Sequence, residues 1–551
     1  MTDALTGAVK GALERAGLPA PGDVAWEIPR DPRHGDYATN VAMSLSRAAR
    51  RPPKQIAEAI VANFPATPAV ERLEVAGPGF VNVYLASAWC AESLRDLLVA
   101  GDGYGTVAES TGGRYRIEFV SANPTGPLVI VNARAAAVGD ALARILRSQG
   151  GQVVTEYYVT DAGNQFQALA ASMETRLRQA IGESAELPEN AYPGDYLIDL
   201  AKSYLERDPA GMRAVLALPE AERRERLGAY AVQAMVSGQR QVLEDYGTEF
   251  HEWSREQADV RAAGLPEQAI AELTARGHTY EEGGALWFRS TAFGDDKDRV
   301  LRKSDGDLTY FAVDIGFHHF TKFGDVDCVI DFLGPDHHGY IARIKAAMRA
   351  LGHPDEAFDV LIVQLVTLLR DGQPVRMSKR RGEFVLMEEL IEEVGRDAAR
   401  FTFLTRRHDS PLEFDLALAV RQSADNPVFY VQYVHARVMS LLRNARAEGI
   451  ELPAFADVDF GRLSLPEEQA LIKHLLQYPT LVAGAGRARE PHRVAYYLTE
   501  LAGAFHPYYK AHRVIGPDRE LSRARLGLAV AVGLVVRSGL GLLGVSAPES
   551  M

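Results

Sequence analysis

Residues 116–146, RIEFVSANPTGPLVIVNARAAAVGDALARIL, constrain the fold most, because a short apolar run stops at a Pro/Gly break and restarts as an Ala-rich segment. The run at 117–120 predicts a buried strand, which the Asn-Pro-Thr-Gly sequence at 123–126 cannot continue. Pro127 suits the first turn of a helix that we expect to end near Gly150. Such a helix start presents unpaired N–H groups and is a candidate anion site. An ordinary strand and core helix of an α/β domain is the other interpretation.

Composition is that of a protein with several domains, since 551 residues exceed one core and predict three or four. Lys+Arg 60 against Asp+Glu 73 gives a net charge of −13, so a polyanionic partner must be met by local basic faces. Cys90 and Cys328 are too few for a disulfide framework or a thiolate zinc site. We expect a cytoplasmic protein with no signal sequence and no membrane span.

The remaining pattern divides the chain into three parts. Residues 1–108 predict a small α+β domain with two helices and a strand pair. From about 109 to 415, strand signals alternate with helical stretches, which predicts a mostly parallel sheet, interrupted by a charged helical insertion at about 182–290. From 416 to 551 the pattern is wholly helical, and Asn426-Pro427 forms a good helix start. The strand signals of the middle part lie at 152–159, 327–333 and 358–370.

Several strings in this order resemble one family, the arginyl-tRNA synthetases of class I. They are HGDYATN at 34–40, GPGFVNVYL at 77–85, SANPTGPL at 121–128, DFLGPDHHGY at 331–340, RMSKR at 376–380 and NPVFYVQYVHARV at 426–438. The resemblance implies an α/β fold: a class I, Rossmann-like nucleotide-binding core at 109–415. It also implies an N-terminal α+β domain that contacts tRNA and a C-terminal helical bundle that binds the anticodon.

The activity that the resemblance implies has two steps. Arginine and ATP give arginyl-adenylate and pyrophosphate, and the 3′-terminal ribose of tRNA then attacks the mixed anhydride. No covalent enzyme intermediate is needed, so catalysis comes from positioning and from donors aimed at the transferring phosphate. The implied partners are arginine, ATP with Mg²⁺ and an arginine-accepting tRNA, and we expect a monomer.

The arginine pocket is implied at four positions that match the family. They are Glu118, Asn123, Tyr310 and Asp314. Glu118 matches the residue that holds the α-ammonium group of the substrate. A guanidinium offers five donors in a rigid fork, for which a fixed carboxylate such as Asp314 is the natural partner. A surface hydroxyl at Tyr310 and a helix-start carboxylate at Asp314 are the other interpretation.

The nucleotide motif departs from the family pattern. There the four residues after Leu128 read His-x-Gly-His, with both imidazoles on ATP phosphates and the Gly leaving room for adenine. Here Val129 cannot donate a hydrogen bond, Val131 is branched, and Asn132 keeps only a neutral donor. The expected ATP-binding positions are Val129, Val131, Asn132, Gly334, Asp336, His337, Met377 and Lys379. We expect no metal at Asp336-His337-His338, since adjacent side chains point apart and no second pair stands at ligand spacing.

The segment at 376–381 places four cations on one loop and resembles the KMSKS loop of class I synthetases. A solvated charge run is the other interpretation. The resemblance implies a phosphate clamp in which Lys379 stabilises the charge of the leaving pyrophosphate. The expected catalytic residues are therefore Lys379, Ser378 and Asn132. Arg376 stands where the family has a first Lys, which keeps the charge and alters its geometry.

Aromatic and basic residues of the C-terminal part are candidates for stacking on unpaired anticodon bases. The expected tRNA-binding residues are Tyr430, Arg437, Tyr509 and Arg513. Core or rim packing is the other interpretation of these tyrosines.

Two further hypotheses stand beside the ligase. One is a synthetase-derived paralogue that binds tRNA and arginine with impaired or no adenylate formation. The evidence for it is Val129, Val131 and Asn132. Lys379 and the intact arginine positions speak against it. The other is a paralogue that uses the arginine pocket for a different amide-forming reaction.

Overall fold

The computed structural model describes residues 2–29, 31–107, 112–375, 385–450 and 455–551. Its N-terminal unit packs helices on one face of an antiparallel sheet with strand order β1-β3-β2. Ile56 and Ile60 on one side of α3 are fully buried, as the amphipathic pattern of that segment predicts. The elements are α1 (Thr2–Arg15), β1 (Tyr37–Thr39), α2 (Val41–Ala49), α3 (Pro53–Asn63), β2 (Val70–Ala76) and β3 (Phe80–Leu85). The next helix, α4 (Ser87–Ala100), packs against the C-terminal helices.

The central unit is built on a five-stranded parallel sheet with strand order β11-β10-β4-β5-β6. The strand order reverses between β4 and β10, and ligands of open α/β sheets bind beside the carboxyl ends of the strands at such a point. The strands are β4 (Arg114–Glu118), β5 (Gln152–Val159), β6 (Glu252–Arg255), β10 (Cys328–Leu333) and β11 (Phe358–Ile362). Helices between them are α5 (Ile130–Ser148), α6 (Gly163–Ala180), α10 (Leu265–Ala275), α11 (Tyr310–Phe317) and α12 (His338–Ala350).

The strand signals at 152–159 and 327–333 are confirmed by β5 and β10. The signal at 358–370 is wrong as a single strand. Its first half is β11, and its second half is β12 (Val366–Arg370), which pairs in a separate sheet of order β13-β12-β14. The apolar pattern does not show which sheet each half of the run joins, because tertiary pairing decides this.

Helix α5 begins at Ile130, so the prediction that Pro127 stands in its first turn is wrong. Residues 128–130 instead lie beside the segment that enters α13 (Met387–Val394). Met387 N–H donates to the Leu128 carbonyl at 2.9 Å, and Ile130 N–H donates to the Val385 carbonyl at 3.1 Å. This pairing holds the chain extended where local preference favours helix.

Besides α10, the segment at 182–290 contains three α-helices and part of the central sheet. The helices are α7 (Asp195–Arg207), α8 (Pro209–Leu216) and α9 (Glu220–Asp245). Strand β6 also falls in this range and pairs with β5, so part of the expected insertion belongs to the main sheet. A small antiparallel sheet follows, made of β7 (Thr279–Glu282), β8 (Ala285–Phe288) and β9 (Arg299–Arg302). A turn at Asp305-Gly306 follows β9, and its two sides are joined by the bridge between Arg302 and Leu308 and by hydrogen bonds from Lys303 N–H to the Asp307 carbonyl and from Thr309 N–H to the Leu301 carbonyl.

The C-terminal unit is helical, as predicted. Asn426 caps its first long helix through a hydrogen bond to the Val428 N–H, with Pro427 in the first turn. Helix α19 is apolar and long enough to cross a membrane by composition, but it packs against α16 and α18 as the core of the bundle. The remaining elements are β13 (Gln373–Pro374), α14 (Arg396–Phe403), β14 (Leu412–Asp415), α15 (Leu416–Ala419), α16 (Pro427–Ala447), α17 (Pro466–Ala488), α18 (His492–Ala511) and α19 (Arg519–Leu542).

Candidate active site

A cavity of about 500 Å³ opens at the carboxyl edge of the central sheet, where the strand order reverses. Glu118 at the end of β4 and Asp331 in β10 lie on its floor, and α11 and α12 supply its walls. Three of the four expected arginine-binding residues line it: Glu118, Tyr310 and Asp314. This position matches the place where α/β sheets bind ligands.

A buried lysine links the carboxylates on the floor. Lys322 is 1% exposed, and its Nζ forms an ion pair with Glu118 and a 2.7 Å hydrogen bond to Asp331 Oδ1. Burial opposes the charge of Lys322, but Asp331, Glu118 and Glu156 outweigh it and hold the pKa of Lys322 above its usual value. The network therefore keeps Glu118 fixed while one positive charge offsets only part of the negative charge around it.

His318 extends this network from Asp331 to helix α11, which forms a wall of the cavity. Its Nε2 lies 2.8 Å from Asp331 Oδ2, and its Nδ1–H donates to the Asp314 carbonyl at 2.7 Å. Because a carbonyl can only accept, Nδ1 carries a proton. The floor under Glu118 and the helix that carries Asp314 are thus tied together through buried side chains.

Asp314 is placed by helix α11, which Thr309 caps through a hydrogen bond to the Ala312 N–H. The Tyr340 hydroxyl donates to Asp314 Oδ2 at 2.6 Å. Burial raises the pKa of Asp314 to about 6, although the hydrogen bond from Tyr340 favours the ionised form. A cation beside this carboxylate would stabilise its charge, so the site is suited to a positively charged ligand.

The other two expected residues lie at the rim. Tyr310 is 53% exposed, and its hydroxyl approaches Gly163 so closely that a Cβ there would lie 3.0 Å away. Asn123 lies outside the lining of the cavity, and its Oδ1 accepts a 3.0 Å hydrogen bond from the Thr160 hydroxyl, which does line it. Asn123 therefore neighbours the cavity through Thr160.

The residues after β10 form a second wall. Asp336 and His337 line the cavity, with 3.5 Å between an Asp336 oxygen and His337 Nε2. Gly334 precedes them, and a Cβ there would lie 2.7 Å from Oδ1 of the exposed Asp336 side chain. Among the residues with described coordinates, no group of three or more His, Cys, Asp or Glu side chains could hold a metal ion.

The expected nucleotide motif lies outside the lining of this cavity. Val129, Val131 and Asn132 are half-buried at the start of α5, and the Asn132 side chain caps the Val129 N–H. The expected residues Met377, Ser378 and Lys379, with Arg376, lie outside the described residues. Val385 and Leu386 resume the described chain directly beside Val129, through the bridge between Val129 and Leu386.

A second cavity, of about 760 Å³, lies in the helical bundle and brings together three of the four expected tRNA-binding residues. They are Tyr430, Arg437 and Tyr509. The Arg437 guanidinium lies 4.4 Å from the Tyr433 ring centroid and 5.2 Å from that of Tyr509, with Nη1 2.8 Å from His506 Nδ1. Arg513 lies apart from this lining, and its carbonyl accepts from Arg525.

Sequence reasoning missed Lys322, His318 and Tyr340 as parts of the site. Lys322 stands in HHFTKFG, which has the composition of a surface segment, and its partners come from distant strands. The available signal was Asp331, a charged residue inside an otherwise apolar strand, because a buried carboxylate requires a partner.

Three family models match the chain in succession. The model described as arginyl tRNA synthetase N terminal domain matches residues 3–85. The model described as tRNA synthetases class I (R), catalytic domain, matches residues 94–415, and the DALR anticodon binding domain matches residues 431–551.

Full-length relatives agree with these matches. The chain is 45% identical over 550 residues to the arginine–tRNA ligase of Desulforamulus reducens, covering 100% of this chain and 97% of that protein. It is 46% identical over 553 residues to the arginine–tRNA ligase of Symbiobacterium thermophilum, covering 100% and 98%. The structure of Thermus thermophilus arginyl-tRNA synthetase superposes with a TM-score of 0.78 at 25% identity, covering 100% of both chains.

Proposed function

The chain belongs to the arginyl-tRNA synthetase family, and we propose that the cavity at the crossover of β4 and β10 is its arginine site. The reaction is the ATP-dependent attachment of arginine to tRNA through an arginyl-adenylate. The observation that supports this assignment of the cavity is the placement of two carboxylates: Glu118 on its floor, and Asp314 on the helix at its side. Arginine has an α-ammonium group at one end and a guanidinium at the other. Its α-carboxylate lies beside the α-ammonium group.

Glu118 holds the α-ammonium group, and Lys322 fixes the orientation of that carboxylate. Asp314 pairs with the guanidinium, while Tyr310 and Asn123 lie at the rim, where the substrate enters. This arrangement leaves the α-carboxylate directed to the wall of Asp336 and His337. The carboxylate oxygen then attacks the α-phosphorus of ATP, and the bond to pyrophosphate breaks.

ATP occupies the space between that wall and the start of α5. We assign Gly334, Asp336 and His337 to the adenosine, and Val129, Val131, Asn132 and Met377 to the remaining contacts. Mg²⁺ accompanies ATP as part of the substrate. Lys379 and Ser378 stabilise the leaving pyrophosphate from the basic loop, and Asn132 contributes one neutral donor.

The tRNA binds along the three parts of the chain, for which we propose the boundaries 1–108, 109–415 and 416–551. Tyr430, Arg437 and Tyr509 form an aromatic and cationic pocket of the kind on which unpaired bases stack. Arg513 lies outside that lining and would contact the phosphate backbone. We assign the protein to the cytoplasm as a monomer.

None of the matching families, relatives or structures favours the paralogue hypotheses. One experiment distinguishes them from the ligase. The experiment is arginine-dependent ATP–pyrophosphate exchange with arginine-accepting tRNA present, because the resemblance implies that tRNA is needed for arginine activation. Exchange that depends on arginine and is lost in Asp314→Asn supports the proposal. Calorimetric arginine binding without exchange would favour the paralogue, and exchange that Asp314→Asn leaves unchanged would refute the pocket assignment.

A further inference from the structure

Tyr158 lines the arginine cavity, and among the described residues its buried hydroxyl has no hydrogen-bond partner. It stands near the end of β5, its ring lines the cavity, and the residue is 9% exposed. Within the described ranges, its hydroxyl oxygen is buried and lacks a hydrogen bond. A buried hydroxyl without a partner costs free energy that a phenylalanine would avoid, so its presence points to a ligand.

The ring of Tyr158 is held in place by packing. Its centroid lies 4.3 Å from that of Phe317, and Val260 and Val313 belong to the same buried cluster. Its backbone N–H donates to Ser121 Oγ at 3.1 Å. The packing of the ring therefore fixes the position of the hydroxyl.

The surroundings of this hydroxyl are acidic. Burial first, and then the charges of Glu256, Asp314 and Glu118, raise the pKa of Tyr158, so the phenol stays neutral. Arg261 is the nearby cation and is already paired with Glu256 through a 2.6 Å hydrogen bond. The neutral hydroxyl can donate its proton to a carboxylate, and its oxygen can accept a hydrogen bond. The ligand must supply the donor of that second hydrogen bond.

We propose that Tyr158 determines specificity in the arginine site by completing the hydrogen bonds of the guanidinium. On binding, a guanidinium N–H donates to the Tyr158 oxygen, and the Tyr158 O–H donates to a neighbouring carboxylate. This inference rests on the proposed function and extends it to a residue that the sequence did not indicate.

The arrangement fits a planar fork better than a compact cation. Tyr340 already occupies Asp314 Oδ2, so the carboxylate alone cannot receive all five donors of a guanidinium. The Tyr158 oxygen is a second acceptor, at a different angle, for the remaining N–H groups of the guanidinium. The ammonium group of lysine and the neutral urea group of citrulline do not place donors there. Tyr158 thus favours arginine over lysine and citrulline.

The test is Tyr158→Phe in the full chain, with calorimetric binding of arginine and thermal unfolding as the two measurements. We expect the Kd for arginine to rise about 10-fold or more, as for loss of a hydrogen bond to a charged group. We expect the unfolding midpoint of the free protein to stay the same or rise, because the lost hydroxyl had no partner. Arginine should also raise the unfolding midpoint less in the variant than in the wild type.

Tyr246→Phe is the matched control. The Tyr246 hydroxyl is also buried without a hydrogen bond among the described residues, but it lies at the end of α9, where the ring faces Arg400. This variant should have the same effect on stability and leave arginine affinity unchanged. A Tyr158→Phe protein with lower stability and unchanged affinity would show a purely structural role and overturn the inference.

The outcome separates this inference from the proposed function. If wild-type protein does not bind arginine, the proposed function fails. If Asp314→Asn weakens arginine binding and Tyr158→Phe does not, the arginine site stands and only the role of Tyr158 is refuted. Affinity for lysine and citrulline, measured in parallel, should change less than affinity for arginine in the Tyr158→Phe variant.

Discussion

Asn132 accepts a hydrogen bond from the backbone N–H of Val129 through its side-chain Oδ1, at 2.9 Å. The next N–H, that of Ile130, donates to the Val385 carbonyl. Two donors that a helix start would offer to a phosphate are therefore already used, and Asn132 retains only its amide N–H₂ group. Helix α5 is closed by its own cap, which makes it a weaker anion site than its position in the fold suggests.

We predict that Val129→His, Val131→Gly and Asn132→His together raise ATP–pyrophosphate exchange by at least ~10²-fold. Removing one preorganised donor to a developing anion typically costs roughly 10²–10³ in rate, and the triple change restores two. The three changes form one site, so their single effects should not add. A native protein that exchanges at ordinary synthetase rates, with no gain in the triple variant, would show that other contacts handle ATP.

Val131→Gly alone should act through ATP affinity and have opposite effects on stability and binding. A glycine inside a helix costs about 1 kcal/mol relative to alanine, so the unfolding midpoint should fall. The KM for ATP should fall at the same time, because the branched side chain at the adenine position is removed. Val131→Ala is the control, since it also removes the branched side chain but places a good helix former in the helix. An unchanged KM for ATP in both variants would contradict the steric role of Val131.

The order of strings along the chain predicted the architecture, and three of the four residues expected to bind arginine line one cavity. Glu118 and Asp314 were proposed because each matches an arginine-binding position of the family, and the structure puts Glu118 at the end of β4 and Asp314 in α11. The start of α5 could not be placed. Its first residues pair with 385–387, far away in sequence, and that pairing overrides the local preference of Pro127 for a helix start.

The groups that tune the pocket were hidden for a related reason. Lys322 and Tyr340 become site residues only because buried partners from other elements meet them, Glu118 and Asp331 for Lys322 and Asp314 for Tyr340. No local pattern distinguishes such a lysine from a solvated one. What a sequence can offer is the reverse inference, from a charged residue in a buried strand to a missing partner.

A further prediction concerns the pH dependence of arginine binding. Asp314 has a pKa of about 6, and only its ionised form pairs with a guanidinium. The Kd for arginine should therefore rise as the pH falls below about 6, approaching roughly tenfold per pH unit where the carboxyl is mostly protonated. Asp314→Asn should bind arginine weakly at pH 7 and lose most of this dependence. Calorimetry between pH 5 and pH 8 gives both curves.

The same group makes a prediction for stability with a defined sign. Its pKa in the folded protein lies above the usual 3.8, so between pH 4 and pH 6 the folded state binds protons that the unfolded state releases. Stability then falls as the pH rises through this window. Asp314→Asn removes this contribution, so its unfolding midpoint relative to wild type should increase from pH 4 to pH 7. A difference that stays constant across the window would contradict the raised pKa.

Another prediction concerns tRNA binding. The protein should bind arginine-accepting tRNA with strong salt dependence, because phosphate neutralisation releases counterions. Arg437→Ala should weaken binding about 10-fold or more, as for loss of one stacking contact, since its guanidinium lies against Tyr433 and Tyr509. Arg513→Ala, outside that cavity, should lower the salt slope without that loss. Equal affinity for unrelated tRNAs would refute specific recognition.

The last prediction concerns Arg400, which joins the catalytic core to the helical bundle. It is fully buried and forms an ion pair with Asp140 on α5. Its Nε donates to the Leu543 carbonyl at the end of α19 at 3.1 Å, and Nη1 donates to Thr248 Oγ1 at 3.1 Å. Helix α5, the end of the bundle and the chain after α9 thus share one guanidinium.

Arg400→Met should destabilise the fold by about 3–5 kcal/mol, because it leaves Asp140 as a buried charge with only the 2.7 Å contact to Arg144. Asp140→Asn added to Arg400→Met should restore part of that loss by removing the uncompensated charge. Arg396→Met, on an exposed arginine of the same helix, is the control and should change stability by less than about 0.5 kcal/mol. Denaturant unfolding followed separately by tryptophan fluorescence and circular dichroism measures these effects. If the double variant is no more stable than Arg400→Met, the loss comes from the backbone contacts of Arg400 and not from the stranded charge of Asp140.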